Sequence, residues 1–168
     1  MIYQVIDKYD GVVIRVSKLE FEQGPSEYNL MITLSDREDG FVNQADRLLS
    51  AYNDYCSENL PFATPVFERY FLSDITNQQP LLEKMIESLS ENAVSMVEQP
   101  PLNGSKIALW AWLQTEVVNR NLYNGIFETN TGSSMHLRTA SEYETKRGSR
   151  AQTKELLLSY SERLNELG

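Results

Sequence analysis

The chain has 168 residues, 41% of them apolar, and a formal net charge of −9. That length suffices for one core of ordinary size, and no apolar run approaches the roughly 20 residues of a membrane span. Residues 133–168 hold six Lys or Arg against five Asp or Glu, which leaves −10 on the first 132 and argues against non-specific binding to phosphate backbones.

The N-terminus, MIYQVIDKYD, lacks the basic start and apolar stretch of a signal peptide. Cys56 is the only cysteine, so no internal disulfide can form. A cytoplasmic location and no membrane association are expected.

Ile2–Ile6 reads as a first strand, and Asp10-Gly11 as the turn of a hairpin into Val12–Val16. Val12, Ile14 and Val16 share one face of that second strand. Glu22–Glu27 is loop, and Tyr28–Leu34 is a third strand with Leu30, Ile32 and Leu34 on one side. The acidic run Asp36-Arg37-Glu38-Asp39 is a solvated connection. Phe41, Ala45, Leu48, Leu49, Tyr52 and Cys56 then form one helical stripe, which predicts a helix over about 41–58 that ends before Pro61. Thr64–Leu72 is a fourth strand. A second helix follows, with Pro80 in its first turn and Leu82, Met85, Ile86 and Leu89 as its buried stripe.

Ala93–Val97 is a fifth strand and Gln99–Gly104 a turn. Lys106–Gln114 is a sixth strand, Asn121–Glu128 a seventh, and Asn130–Ser134 a loop of small residues. This order gives an α+β fold: one mixed sheet with two helices packed on one face, plus a C-terminal helix. The strand between the helices is expected to run parallel to a neighbour through a helical crossover.

The sixth strand is apolar on both faces. Ile107, Leu109, Ala111 and Leu113 point one way, Ala108, Trp110 and Trp112 the other. With the helices on the isoleucine and leucine side, the tryptophan side needs another cover: a second subunit, a repeated unit, or a ligand. Arg69 lies on a strand between Phe67 and Phe71, facing the same way, and a guanidinium on an apolar face needs an acceptor. Either a structural carboxylate or a ligand carboxylate would serve. Arg69, Trp110 and Trp112 are therefore the candidate ligand-binding residues. His136, the only histidine, stands in a polar segment with no ligand set around it. Cys56 sits on the buried stripe of its helix and reads as core. No phosphate loop, nucleophile elbow or metalloprotease pattern is present, so no catalytic residue, metal ligand or cofactor is assigned.

The chain also repeats part of itself. At an offset of 108 residues, Gly40 matches Gly148, Gln44 matches Gln152, Leu48-Leu49 match Leu156-Leu157, and Tyr52 matches Tyr160. This divides the chain into a domain over 1–132 and a segment, 133–168, read as a linker and the first helix of an incomplete second repeat. Leu156, Leu157, Tyr160, Leu164 and Leu167 form the apolar stripe of that helix, expected to be buried in cis or across an interface. Lys146, Arg147, Arg150 and Lys154 read as solvated charge at its start.

The helix carrying Gln44 and Leu48-Leu49, the segment FERYFLSD, the proline-containing helix and the turn-and-strand PPLNGSKIALWAWL together resemble the RidA/YjgF family, also labelled endoribonuclease L-PSP, over about residues 1–130. The resemblance implies a chorismate-mutase-like fold and a trimer (or, for tandem units, a pseudo-trimer). It also implies small-molecule pockets between subunits and hydrolysis of enamines and imines without metal or cofactor. Deaminating members place an Arg before the penultimate strand to grip the substrate carboxylate, and a Glu in the last core strand. The matching stretch here, AVSMVEQPPLNG, has no Arg or Lys, and Trp110 stands at or near the Glu position. The resemblance thus implies a RidA-like module degenerate in its deaminase site, acting in oligomerisation or in binding a small carboxylic acid. The alternatives are a hydrolase of altered specificity and, from the repeat, the non-catalytic half of a chorismatase-like protein.

Overall fold

The computed structural model describes residues 2–35, 37–86, 92–123, 126–139 and 149–167. Strands β1 (Ile2–Tyr9), β2 (Val12–Leu19) and β3 (Glu27–Leu34) form an antiparallel meander. Gly11, at φ 65°, turns the first hairpin in a backbone conformation that favours glycine. Helix α1 (Phe41–Asn59), β4 (Ala63–Leu72), α2 (Ile75–Ile86), β5 (Ala93–Glu98) and β6 (Ile107–Thr115) follow. The six strands make one mixed sheet in the order β1-β2-β3-β6-β4-β5. Only β4 and β5 pair in parallel, with α2 as the crossover between them, as the sequence predicts.

Helices α1 and α2 pack on one face. Val12, Ile14, Val16, Leu30, Ile32 and Leu34 are buried there, and so are Ile107, Leu109, Ala111 and Leu113. From α1 the stripe residues Phe41, Ala45, Leu48, Leu49 and Tyr52 join them. Gln44, wholly buried in the same helix, anchors its start. Its Nε2 donates to the Asp39 carbonyl at 3.1 Å, and its Oε1 accepts the Lys106 N–H at 2.7 Å. The helix entry and the start of β6 are thereby tied by one amide. Asn103 does the same for the other end of β3: its Nδ2 donates to the Leu34 carbonyl, and its Oδ1 accepts the Ser105 N–H at 3.1 Å.

The structure departs from the sequence reading in three places. Helix α2 begins at Ile75, not near Pro80, because Asp74 caps it by accepting the Asn77 N–H at 3.2 Å. Pro80 is the sixth helical residue and removes the bond its N–H would give to Thr76. Leu89 of the expected stripe lies outside the described residues. The expected seventh strand is two, β7 (Asn119–Tyr123) and β8 (Ile126–Asn130), paired as a hairpin. Residues 135–139, read as linker, form a further strand, β9 (Met135–Thr139), on the other side of β8. These three make a second, antiparallel sheet, which crosses the expected boundary at residue 132.

Helix α3 (Ser149–Leu167) forms where the repeat predicts a helix, but the described part of its stripe is not buried within the chain. Leu156, Leu157 and Tyr160 are 39%, 60% and 43% exposed, and no described α3 side chain is buried. The side chains of Leu164 and Leu167 are outside the described ones, as are Lys146 and Arg147. No helix among the described residues is long and apolar enough to cross a membrane.

Two outcomes are expected. Gln44→Leu keeps the side-chain volume but leaves the Lys106 N–H and the Asp39 carbonyl without partners, and should lower the unfolding free energy by about 2 kcal/mol in urea titration. In hydrogen exchange on the dilute chain, the amides of α3 should exchange far faster than those of α1, because tertiary burial stabilises only the latter.

Candidate functional site

The face of the large sheet turned away from α1 and α2 carries Trp110 and Trp112 of β6, Phe67 and Arg69 of β4, and Met31 of β3. Strand register brings them together: Arg69 pairs with Trp110, Phe67 with Trp112, and Met31 flanks Trp110 on the other side. All five are half-buried. The ring of Phe67 meets that of Trp110 edge to face, with centroids 5.6 Å apart. The guanidinium of Arg69 lies over both rings, 5.3 Å from the Phe67 centroid and 6.0 Å from that of Trp110. The candidate residues taken from the sequence, Arg69, Trp110 and Trp112, thus share one surface.

Of the two acceptors expected for Arg69, a structural carboxylate is not found among the described residues. The Arg69 Nε is buried without a hydrogen-bond partner, and no ion pair joins the guanidinium to a described residue. Glu68, next in the chain, points to the opposite face. It is 5% exposed, and its two carboxylate oxygens accept the hydroxyls of Tyr52 at 2.9 Å and Tyr70 at 2.7 Å.

The small sheet supplies the partial cover for Trp112, which sequence reasoning assigned to a subunit, a repeat or a ligand. The pairing of Phe127 with Arg138 and of Thr129 with His136 puts these four on one face of it. From that face the His136 ring meets Trp112 edge to face at 5.6 Å, and the Arg138 guanidinium lies 4.6 Å over the Trp112 ring. Arg138 Nη1 donates to Thr129 Oγ1 at 3.1 Å, while its Nη2 is buried without a partner. Burial pulls its pKa below the usual arginine range. The indole Nε1 of Trp112 is a third buried donor with no acceptor.

Sequence reasoning missed Arg138 and treated His136 as isolated. The available signal was Asn124-Gly125, a hairpin dipeptide between two β-rich runs. Splitting the seventh strand there makes room for a third strand, whose alternation sets His136 and Arg138 on one side. The dipeptide itself lies outside the described residues.

Cys56 and the Glu68 cluster form a different environment, between α1 and β4. A cavity of about 60 Å³ lies there, lined by Leu49, Tyr52, Cys56, Glu68, Tyr70 and Ile86. It has room for a water or two and not for an organic acid. Burial, and then the Glu68 charge, pushes the Cys56 thiol up to about 12, which leaves it un-ionised and unreactive near neutrality. The same two causes raise the Tyr52 and Tyr70 hydroxyls above the usual tyrosine range. Among the described residues, no three His, Cys, Asp or Glu side chains are grouped as metal ligands.

No protein-family model matches the chain, and no curated protein does.

The buried tyrosines and Cys56 make a pH prediction. Each is an acid whose folded pKa lies above its ordinary value of 10.0 or 9.0. The stability they confer is therefore complete below pH 9 and is lost as the unfolded chain ionises first. Unfolding free energy should hold level up to about pH 9 and then fall, with a slope reaching about 1.4 kcal/mol per pH unit for each group. Denaturant titrations at pH 8 to 11 measure this, and a flat profile would contradict it.

Proposed function

We propose that this chain carries a RidA/YjgF-like domain without a deaminase site, serving as a small-molecule-binding and self-associating module. The chorismate-mutase-like arrangement inferred from the sequence motifs agrees with a mixed sheet covered by helices on one face only. Residues 93–104, from β5 into the turn before β6, offer no cation to a substrate carboxylate, and Trp110 stands where an acid would activate water. What supports binding over catalysis is the aromatic surface itself. Two half-buried tryptophans and Phe67 lie beside an arginine whose buried Nε has no acceptor among the described residues. Apolar walls with a few oriented polar groups are the usual composition of a small-molecule site. The same open face continues to the free edge of the sheet, where Tyr3 and Val5 of β1 are 59% and 54% exposed, which favours association with further protein.

Two measurements test the reading. The protein should show no hydrolysis of 2-aminoacrylate under conditions where an active deaminase of the family turns over; turnover at a comparable rate would overturn the loss of the site. In a thermal-shift panel of small keto and hydroxy acids, at least one should stabilise the fold. A ligand at about one hundred times its Kd adds roughly 2.7 kcal/mol. No shift across the panel would count against a binding module.

A further inference from the structure

We infer that the open-face site takes a small doubly charged oxyanion, held between Arg69 of β4 and Arg138 of β9, where the small sheet meets β6 of the large one. This rests on the binding-module reading above and specifies its ligand.

The two guanidiniums come from different sheets and rest on adjacent indoles. Arg69 lies over Trp110 and Arg138 over Trp112, two residues along one strand and on one face of it. The two residues that carry the indoles stand about 7 Å apart along the strand. A small oxyanion placed between them offers oxygens to both guanidinium forks. Each arginine keeps a buried N–H without an acceptor, Nε of Arg69 and Nη2 of Arg138, and the Trp112 Nε1–H adds a third. Stacking on an aromatic face offsets part of the desolvation of a guanidinium but satisfies none of its N–H groups. These three unmet groups are donors and call for an acceptor; Gln114 Oε1, two residues beyond Trp112 on the same face of β6, is an unmet acceptor.

Charge sets the class. No carboxylate of the described residues pairs with either arginine, although the chain holds 24 Asp and Glu. A neutral ligand would leave both cations uncompensated, and a monoanion would leave one. A dianion compensates both, and the planar fork of each guanidinium fits carboxylate and phosphate oxygens alike. A short dicarboxylate and a phosphate share this chemistry.

The test uses the full chain and its own reporters, because Trp110 and Trp112 are its two tryptophans. Malonate, inorganic phosphate and acetate are titrated, with binding followed by indole fluorescence and by calorimetry. Malonate or phosphate, or both, should bind at least about tenfold more tightly than acetate, and the tighter of the two identifies the source of the charge. Arg69→Gln and Arg138→Gln should each weaken that binding about tenfold or more. Arg15→Gln, on the same sheet face but bonded to Thr33 Oγ1 at 3.1 Å, should change it by less than about twofold. Arg69→Lys and Arg138→Lys keep the charge and lose the fork, and should recover part of the affinity, which a loss through misfolding would not allow. Equal binding of acetate and malonate, or binding indifferent to both Gln substitutions, would overturn the dianion while leaving the binding module in place. Should the three anions fail to bind while the keto or hydroxy acids stabilise the fold, the dianion alone falls; with no ligand of any kind, both fall.

Discussion

Strand β6 carries large apolar side chains on both faces, and most of the architecture is a consequence of covering them. Ile107, Leu109 and Leu113 are wholly buried beneath α1 and α2, at the centre of a sheet that flanks β6 with β3 and β4. On the other side Trp110 and Trp112 would expose two indoles if nothing approached them. A fully buried side chain of this size contributes about 1.5–3 kcal/mol, enough to select any chain conformation that shields it. The β7–β9 sheet is that conformation in part. It brings His136 and Arg138 onto Trp112, whereas Trp110 is met by Phe67 and Arg69 from the neighbouring strand. The indoles are therefore met by a polar imidazole ring and two charged guanidiniums as well as by Phe67. That distinguishes this side from the helix side, where the core is aliphatic and aromatic.

Polar groups on the helix side are treated differently. Gln44 and Glu68 are both buried, and each has its bonds made inside the chain. Gln44 joins two backbone groups that begin α1 and β6. Glu68 gathers two tyrosine hydroxyls, one from α1 and one from its own strand. Both fix how the helix lies on the sheet, in a way that aliphatic packing alone would leave looser. On the open side Arg69 Nε, Arg138 Nη2 and Trp112 Nε1 have no such partners. The same sheet therefore separates a closed structural polar network from an open one.

Much of this was legible in the residues. Alternation in Val12–Val16, Leu30–Leu34 and Ile107–Leu113 assigned the core face correctly, because a side-chain period of two leaves little freedom once one face is buried. The stripe from Phe41 to Tyr52 did the same for α1. What failed was local. Pro80 suggests a first helical turn near residue 80, whereas the Asp74 cap starts α2 at Ile75. A continuous reading of 121–128 ignored Asn124-Gly125, so β9 was missed and Arg138 with it. Half of the site was legible, since Arg69, Trp110 and Trp112 lie on strands whose alternation is strong. The other half depends on how a second sheet folds back, which no short-range pattern encodes. The matched residues of α1 and α3 mark another such limit. Leu48, Leu49 and Tyr52 are buried, yet Leu156, Leu157 and Tyr160 are exposed. The same pattern is satisfied by a sheet in one place and not in the other, so the pattern specifies the helix and its apolar side but not what lies against it.

The charge distribution gives the open face its meaning. In a chain of net charge −9, a carboxylate beside every buried arginine would be the easiest arrangement to reach. Arg47 pairs in this way with Asp39 at 3.0 Å. Arg69 and Arg138 have no carboxylate partner among the described residues and sit on aromatic rings. A buried N–H without an acceptor is unfavourable by its desolvation, and stacking of the guanidinium on a ring does not satisfy it. Substituting either arginine by an apolar residue of similar volume would remove that penalty. Two such residues on neighbouring indoles are therefore not accounted for by stability. An acceptor that arrives from outside the chain accounts for both at once, and it gives the tryptophan face a use that an aliphatic cover would have closed.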